Sequence, residues 1–238
     1  MKNRTRRLYL ADYLITPDRR IDTGAVLCEN ERILAVGGLS AFQMEPELEV
    51  FEFMNAYLTP GFIDTHIHGA GGFDASSVDL SPKPIESMST ILAERGVTSF
   101  FPTVVAAPRE QMLSNLQRLA GEMARELPGA DAAGINIEGP FINPFKRGAQ
   151  EEESIVPIDL GYARELIEAG NGLLKIMTFA PELENAEKLV ELLLEYGVKP
   201  SMGHSVANEV QTLRAIDAGA SYCTHLFIGM PPLHQREM

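Results

Sequence analysis

All five histidines of this chain lie in short motifs that are typical of metal sites. His66 and His68 belong to Gly-Phe-Ile-Asp-Thr-His-Ile-His-Gly, while His204 lies in Met-Gly-His-Ser, His225 in Cys-Thr-His-Leu and His234 in Pro-Pro-Leu-His-Gln-Arg. Imidazole can bind a borderline divalent metal while it remains neutral near pH 7. The histidines therefore predict a bound divalent metal and chemistry on a small polar substrate.

His66 and His68 are two residues apart at the end of an apolar segment. Residues at this spacing on a β-strand point to the same face, so both imidazoles can reach one metal ion. Two surface histidines could share this spacing by coincidence, but the preceding Pro-Gly-Phe-Ile-Asp and the glycines that follow favour a metal site. Asp64 falls on the same face, where it could support a ligand or cap the backbone.

Three further residues end apolar segments in the same way. Glu138 closes Gly-Ile-Asn-Ile-Glu, where its carboxylate could complete a metal site with the imidazoles or could be an exposed loop residue. His204 and His225 end apolar segments that are one strand–helix unit apart. A single histidine at a strand end is more often a hydrogen-bonded structural group, whereas two at equivalent positions favour metal ligands.

Two loops offer polar groups for a substrate. The segment 143–150 contains Lys146, Arg147 and the neutral amide of Gln150, which could bind an anionic or carbonyl group or could form a solvated loop. His234 and Arg236 follow two prolines in the second loop. A guanidinium group suits the oxygen fork of a phosphate or of another planar anion.

The composition is that of a globular protein, with 238 residues, 45% hydrophobic and 22% charged. The net charge of −13 opposes binding to nucleic acid and to anionic membranes, so neither is an expected partner. No apolar segment approaches the about 18 residues of a membrane span, and Asp12 interrupts the first one too early for a signal peptide. Cys28 and Cys223 form no pair motif, which favours the reducing cytoplasm.

The sequence predicts two domains. Residues 1–58 are expected to form a small β domain, because short strands are predicted at 8–15, 25–28, 32–36 and 49–54. The polar Glu29-Asn30-Glu31 predicts a hairpin between the second and the third strand. From residue 59 to residue 238 apolar strands alternate with helices, which predicts parallel βαβ units.

The expected class is α/β, and the expected architecture of the second domain is a (β/α)8 TIM barrel. About six βα units are present, so we expect a barrel that ends before its last strands. Glycines just past the helices predict left-handed helix ends. The predicted strands are 61–65, 97–105, 132–137, 173–179, 199–203 and 221–226, and the predicted helices are 85–95, 110–126, 159–169, 185–196 and 207–218.

Taken together, the motifs resemble the N-acetylglucosamine-6-phosphate deacetylase family, within the metal-dependent amidohydrolase superfamily. Pro-Gly-Phe-Ile-Asp-x-His-x-His-Gly is typical of the superfamily. Ile-Glu-Gly-Pro-Phe-Ile-Asn-Pro, Met-Gly-His-Ser and Thr-His-Leu-Phe-x-x-Met-Pro-Pro-Leu-His-x-Arg-Glu are more particular to the deacetylases. The motifs follow the order of the family, and the resemblance runs from about residue 8 to the end of the chain.

The resemblance implies a (β/α)8 barrel and a small β-sandwich built from both ends of the chain, with residues 1–58 as the N-terminal part of the sandwich. It implies metal ligands at Glu138, His204 and His225, and in some members a second metal through the pair matching His66 and His68. The implied reaction removes the acetyl group of N-acetylglucosamine 6-phosphate and yields glucosamine 6-phosphate and acetate. Zinc suits these nitrogen and oxygen ligands, although iron and manganese fit as well.

The resemblance also implies a phosphosugar substrate and a homodimer. The arginine that matches Arg236 reaches the phosphate of the substrate in the neighbouring subunit. The implied substrate contacts come from two loops and comprise Ala149, Gln150, Ile228, Gly229, His234 and Arg236.

Three departures from the family pattern affect substrate contacts and leave the metal ligands in place. The family's general acid/base aspartate comes from the eighth strand, which we expect this chain to lack, so its catalytic residue is unassigned. Gln150 stands where the family has a histidine that polarises the carbonyl, and a glutamine can donate a hydrogen bond without carrying charge. Ile228, followed by Gly229, replaces an asparagine, so only backbone amides there could bind phosphate.

Two alternative functions follow from the same residues. A related amidohydrolase could act on another N-acyl sugar, on a ring or on an N-acyl amino acid; the last two would favour a carboxylated lysine at the end of the fourth strand. Lys175 lies at the start of that strand instead. A catalytically inactive metal-binding fragment would account for an incomplete barrel, whose open strand edges should favour self-association.

Overall fold

The computed structural model describes residues 4–77 and 84–232, so His234 and Arg236 lie outside the described residues. The chain divides into two compact units, and the division falls between Gly61 and Phe62. The predicted boundary, after residue 58, coincides with the end of the last strand of the first unit.

The first unit is a single four-stranded sheet. The strands lie in the order β3-β2-β1-β4, and β1 runs antiparallel to β2 and parallel to β4. The predicted hairpin is confirmed, since Glu29 pairs with Arg32 and Asn30 adopts a φ of 54° in the turn. Residues 4–61 thus form a small β unit with one sheet, and the predicted sandwich stays a prediction. The elements are β1 (Arg6–Ile15), β2 (Arg20–Glu29), β3 (Arg32–Gly38), a 3-10 turn at Leu39–Ala41 and β4 (Glu49–Leu58).

The second unit is a partial barrel. Six parallel strands lie side by side in chain order, β5-β8-β10-β11-β12-β13, and a helix follows each of the first five. This arrangement confirms the predicted TIM-barrel architecture with six βα strands. The strands are β5 (Phe62–Ile67), β6 (Gly69–Ala70), β7 (Phe73–Asp74), β8 (Val97–Val105), β9 (Asp131–Ala132), β10 (Ile135–Glu138), β11 (Leu174–Phe179), β12 (Lys199–Met202) and β13 (Tyr222–Cys223). The helices are α1 (Pro84–Ala93), α2 (Arg109–Met123), α3 (Leu160–Ala169), α4 (Ala186–Glu195) and α5 (Glu209–Ala218).

The core of the second unit lies between the sheet and the helices. Three large buried residues of α2, Met112, Leu116 and Leu119, recur every three or four positions and pack into the same cluster as Phe100 of β8. Strand β10 is buried along its whole length, as expected for a strand covered on both faces. Within the described residues, no helix combines the length and the apolar character that crossing a membrane requires.

Several predicted boundaries differ from the structure. The strand predicted at 132–137 is two short strands, β9 and β10, on either side of Gly134. The strand predicted at 221–226 is only Tyr222–Cys223, because His225 and Phe227 adopt positive φ angles of 53° and 71° that end the extended backbone. The helix predicted to end at residue 126 ends at Met123, and the one predicted from residue 207 begins at Glu209.

Candidate metal centre

The five predicted metal ligands lie at one end of the partial barrel. His66 is the penultimate residue of β5, and His68 directly follows that strand. Glu138 is the last residue of β10. His204 and His225 each lie two residues beyond the ends of β12 and β13. The carboxyl ends of parallel barrel strands share one face, which is why residues so far apart in sequence converge.

Glu138 is the centre of the cluster and is only 3% exposed. Its Oε1 atom lies 2.8 Å from Nε2 of His204 and 2.7 Å from Nε2 of His225. Its Oε2 atom is 3.3 Å from Nε2 of His68, and Nε2 of His66 is 3.5 Å from Oε1. The ligand atoms form two groups, each within 4.8 Å: His66, His68 and Glu138, and Glu138, His204 and His225.

Backbone carbonyls orient two of the imidazoles. Nδ1 of His204 lies 2.6 Å from the carbonyl oxygen of Lys146, and Nδ1 of His68 lies 3.1 Å from that of Thr103. A carbonyl can only accept a hydrogen bond, so each Nδ1 carries hydrogen. In the neutral ring this leaves the Nε2 lone pair directed at the cluster, whereas the protonated ring donates from Nε2 to Glu138. Metal-bound histidines show this arrangement, and the nitrogen and carboxylate donors suit a borderline divalent cation.

The cluster keeps a negative charge at its centre. Burial opposes ionisation of Glu138, but hydrogen bonds from His204 and His68 outweigh it and hold the carboxyl pKa far below its ordinary value. The hydrogen bond to Glu138 raises the pKa of His68. Burial lowers the pKa of His204, although its bonds to Glu138 and Lys146 raise it more, and burial lowers the pKa of His66. An ionised carboxylate among imidazoles attracts a cation to the cluster.

A cavity of about 560 Å³ opens beside the cluster. Gln150 lies in its wall and is 8% exposed, and its Oε1 accepts a 2.9 Å hydrogen bond from the amide of Ala106. Its Nε2 is buried and has no hydrogen-bond partner among the described residues. The lining residues are His68, Val105, Glu138, Phe145, Lys146, Arg147, Gly148, Ala149, Gln150, His204, His225, Ile228 and Gly229.

A larger cavity, of about 660 Å³, lies between α2 and α3. Its lining residues include Glu165 and Glu168 but none of the five predicted ligands. We assign the chemistry to the smaller of these two cavities because its wall includes the buried carboxylate of Glu138 and three of the converging imidazoles.

The second predicted substrate loop differs from expectation. Ala149, Ile228 and Gly229 line the cavity, as a substrate loop requires. The backbone amides of Ile228 and Gly229, however, donate to the carbonyl of His225 at 2.8 and 2.9 Å. These amides close a tight turn, and their possible contact with phosphate stays a prediction.

Two other residues considered in the sequence take structural roles. The Oδ1 atom of Asp64 accepts a hydrogen bond from the amide of His66 at 3.1 Å, so Asp64 caps the backbone beside the first ligand. The ammonium group of Lys175 donates to the carbonyl of Gly172 at 2.7 Å, before the start of β11. Lys175 is therefore at the end of its strand opposite the cluster.

Glu182 is a residue of the site that the motifs did not indicate. Its carboxylate accepts hydrogen bonds from Nδ2 of Asn143 at 3.0 Å, Oγ of Ser205 at 2.6 Å and the amide of Val206 at 2.6 Å. The loop after β11 is thereby tied to the two loops that surround His204. The available signal was a carboxylate shortly after an apolar segment: Glu182 lies three residues beyond β11, whereas Glu138 is the last residue of β10.

Replacing Glu182 by alanine should weaken zinc binding about 10- to 100-fold, the usual effect of losing a group that orients a ligand. Ser205 and Val206 directly follow His204 and would lose their common anchor. A competition titration with a chromophoric chelator measures the change, and Glu184→Ala, at an exposed position two residues away, is the matched control. Unchanged affinity in the Glu182 variant would show that the loop holds His204 without this carboxylate.

Comparisons with known proteins agree with the geometry. The profile of the amidohydrolase family matches residues 57–229. The chain is 38% identical over 186 residues to N-acetylglucosamine-6-phosphate deacetylase of Bacillus subtilis, which covers 77% of this chain and 46% of the relative. It is 34% identical over 211 residues to N-acetylgalactosamine-6-phosphate deacetylase of Escherichia coli O157:H7, which covers 89% of this chain and 55% of the relative. The chain thus spans about half the length of these relatives.

A solved structure extends the similarity to the fold. A mutant N-acetyl-D-glucosamine-6-phosphate deacetylase from Mycobacterium smegmatis, in complex with N-acetyl-D-glucosamine-6-phosphate, superposes with a TM-score of 0.85 at 30% identity. The superposition covers 98% of this chain and 58% of the other.

Proposed function

This chain belongs to the amidohydrolase family, and we propose that it carries the metal centre of an enzyme that deacetylates N-acetylglucosamine 6-phosphate, yielding glucosamine 6-phosphate and acetate. The observation that carries the proposal is the convergence of Glu138, His204 and His225 beside the free amide donor of Gln150. The substrate is supported by the deacetylase relatives and by the complex from Mycobacterium smegmatis.

We assign one divalent cation to Glu138, His204 and His225, with His66 and His68 as the candidate ligands of a second. Bound there, the cation would lower the pKa of a water molecule to about 7 and polarise the substrate carbonyl. Zinc suits three nitrogen and oxygen donors of this kind, and iron and manganese suit them as well.

The side chains of the cavity supply positioning and charge. Nε2 of Gln150 donates to the acetyl carbonyl oxygen, while the amide of Ala106 holds the other end of the Gln150 side chain. The low pKa of Glu138 keeps its carboxylate ionised at neutral pH. Among the described residues that line the cavity, Glu138 is the one carboxylate, so the group that transfers the proton to the leaving amine is unassigned.

We assign the phosphate end of the substrate to cationic groups of the two loops. Lys146 and Arg147 line the cavity, and Ala149, Ile228 and Gly229 form its wall. Arg236 and His234 belong to the same proposal through a homodimer in which the arginine reaches the phosphate in the neighbouring subunit.

We also place the protein in the cytoplasm. Cys28 and Cys223 are both free thiols, as a reducing compartment would keep them.

The test is acetate release from N-acetylglucosamine 6-phosphate by the 238-residue chain after reconstitution with zinc. We expect release that falls to the background level in His204→Ala, because this substitution removes a metal ligand. N-Acetylgalactosamine 6-phosphate is measured in parallel, since the Escherichia coli relative covers 89% of the chain. Faster release from that epimer would reassign the substrate, and zinc binding without release from either sugar would favour an inactive fragment.

A further inference from the structure

His66 differs from His68 and His204 in the group that faces its Nδ1 atom. In place of a carbonyl oxygen, Nδ1 of His66 faces Nδ2 of Asn136 at 3.3 Å. The same Nδ2 lies 3.0 Å from the carbonyl oxygen of Thr65. Asn136 is 1% exposed and lies within β10, two residues before Glu138.

The carbonyl of Thr65 determines which way the Asn136 amide points. A carbonyl oxygen only accepts, so the Asn136 atom beside it must be the amino group; the reversed amide would place two oxygens 3.0 Å apart. One amino hydrogen therefore goes to Thr65, and the other is directed at Nδ1 of His66. That nitrogen must accept, so the hydrogen of the neutral His66 ring lies on Nε2.

This tautomer is the wrong one for a metal ligand in this cluster. Nε2 of His66 is the atom that faces Glu138 and His68, and a metal would need its lone pair there. With hydrogen on Nε2, His66 can instead donate to Nε2 of His68, which lies 3.3 Å away. Nδ1 of His68 already donates to Thr103, so in the neutral His68 ring Nε2 carries a lone pair.

We propose that Asn136 is a positioning residue that withholds His66 from the metal centre, so that this chain binds one divalent ion tightly and a second only weakly. The tight site is the group of Glu138, His204 and His225. The inference rests on the proposed function only in taking the cluster as a divalent metal site.

The tautomer can be measured on the metal-free protein. Long-range proton–nitrogen correlation spectra of the histidine-labelled chain, recorded in mildly alkaline solution after chelation, distinguish Nδ1–H from Nε2–H rings. We expect Nε2–H for His66 and Nδ1–H for His68 and His204, each assigned by single-histidine substitution. An Nδ1–H ring at His66 would overturn the inference, whatever the protein does with metal.

The number of bound ions gives a second, independent readout. Zinc titration of the intact chain should show one tight ion, and Asn136→Asp, whose carboxylate accepts from Nδ1–H, should tighten the second about 10- to 100-fold. A buried aspartate can destabilise the fold, so Asn136→Leu serves as a second variant that removes the donor without adding charge. It should tighten binding of the second ion less than Asn136→Asp does. Ser201→Ala is the matched control, since Ser201 is equally buried and bonds to Thr224 instead of a histidine.

The outcomes separate this inference from the proposed function. Two equally tight ions in the unsubstituted chain, or an unchanged second site in both Asn136 variants, would refute the role of Asn136 and leave the deacetylase proposal intact. Failure to bind any zinc would refute the metal centre, whereas the His66 tautomer would still decide the role of Asn136.

Discussion

Replacement of Glu138 by glutamine should abolish tight zinc binding. Glu138 is the one residue shared by both groups of potential ligands, and its carboxylate is the negative charge among four imidazoles. Glutamine keeps the shape of the side chain but removes that charge, and an amide nitrogen at either oxygen position would face an imidazole nitrogen. We therefore expect a loss of affinity larger than the about 10- to 100-fold effect of changing an outer-shell group.

Thermal unfolding provides a readout of this prediction that does not depend on activity. A ligand at 100 times its dissociation constant stabilises the native state by about 2.7 kcal/mol, so zinc at that level should raise the Tm of the unsubstituted chain and leave that of Glu138→Gln unchanged. Glu122→Gln is the control, because Glu122 is also mostly buried but pairs with Arg118 on α2, away from the cluster. A Glu138 variant with zinc affinity within tenfold of the unsubstituted chain would contradict the assignment of this ligand.

The predicted ligands could be found from the sequence because each follows an apolar segment. In a parallel barrel, position at a strand end fixes which face a residue reaches, so residue type and strand end together predicted a shared site for His66, His68, His204 and His225. For Glu138 the spacing left an exposed loop position open. Burial to 3% exposure decides between the two, and burial depends on the neighbouring strands rather than on the local sequence.

The groups that orient the ligands could not be predicted in the same way. Two of them are the backbone carbonyls of Thr103 and Lys146, and a carbonyl has no sequence signature because every residue carries one. Asn136 contacts the backbone of Thr65, 71 residues earlier, which only the pairing of strands brings near. A polar residue inside the apolar Ile-Asn-Ile was nevertheless a visible signal that this strand position has a special neighbour.

Strand and helix ends were the least predictable features for a related reason. Apolar periodicity describes the body of an element, whereas its end depends on single backbone conformations. A left-handed residue was expected at Gly170 after α3, but Gly170 has a φ of −70° and the positive φ falls on Asn171, at 46°. Asparagine tolerates this conformation, so the chain can turn one residue later than the glycine rule suggests.

Substitution of Gly203 by alanine should both destabilise the fold and weaken metal binding. A Cβ atom at this position would lie 2.7 Å from the carbonyl oxygen and 2.8 Å from the Cβ atom of Thr224. The backbone at Thr224 would have to move, and it directly precedes His225, while Gly203 directly precedes His204. Overpacking of this kind costs about 1–3 kcal/mol of the free energy of unfolding, and it would displace two ligands at once.

The matched control is Gly121→Ala on the exposed side of α2, where a Cβ atom meets nothing within 4 Å. Alanine in a helix interior is favoured over glycine by about 0.8–1 kcal/mol, so this variant should be more stable than the unsubstituted chain and should bind zinc normally. Urea denaturation should therefore show a lower free energy of unfolding for Gly203→Ala and a higher one for Gly121→Ala, although both replace glycine by alanine. Equal effects of the two substitutions on stability would mean that β12 and β13 can move apart without a loss of unfolding free energy.

The glycine of the Met-Gly-His-Ser motif is explained by the close approach of these two strands. Gly203 is not among the glycines with positive φ in the described residues, so backbone freedom is not the reason.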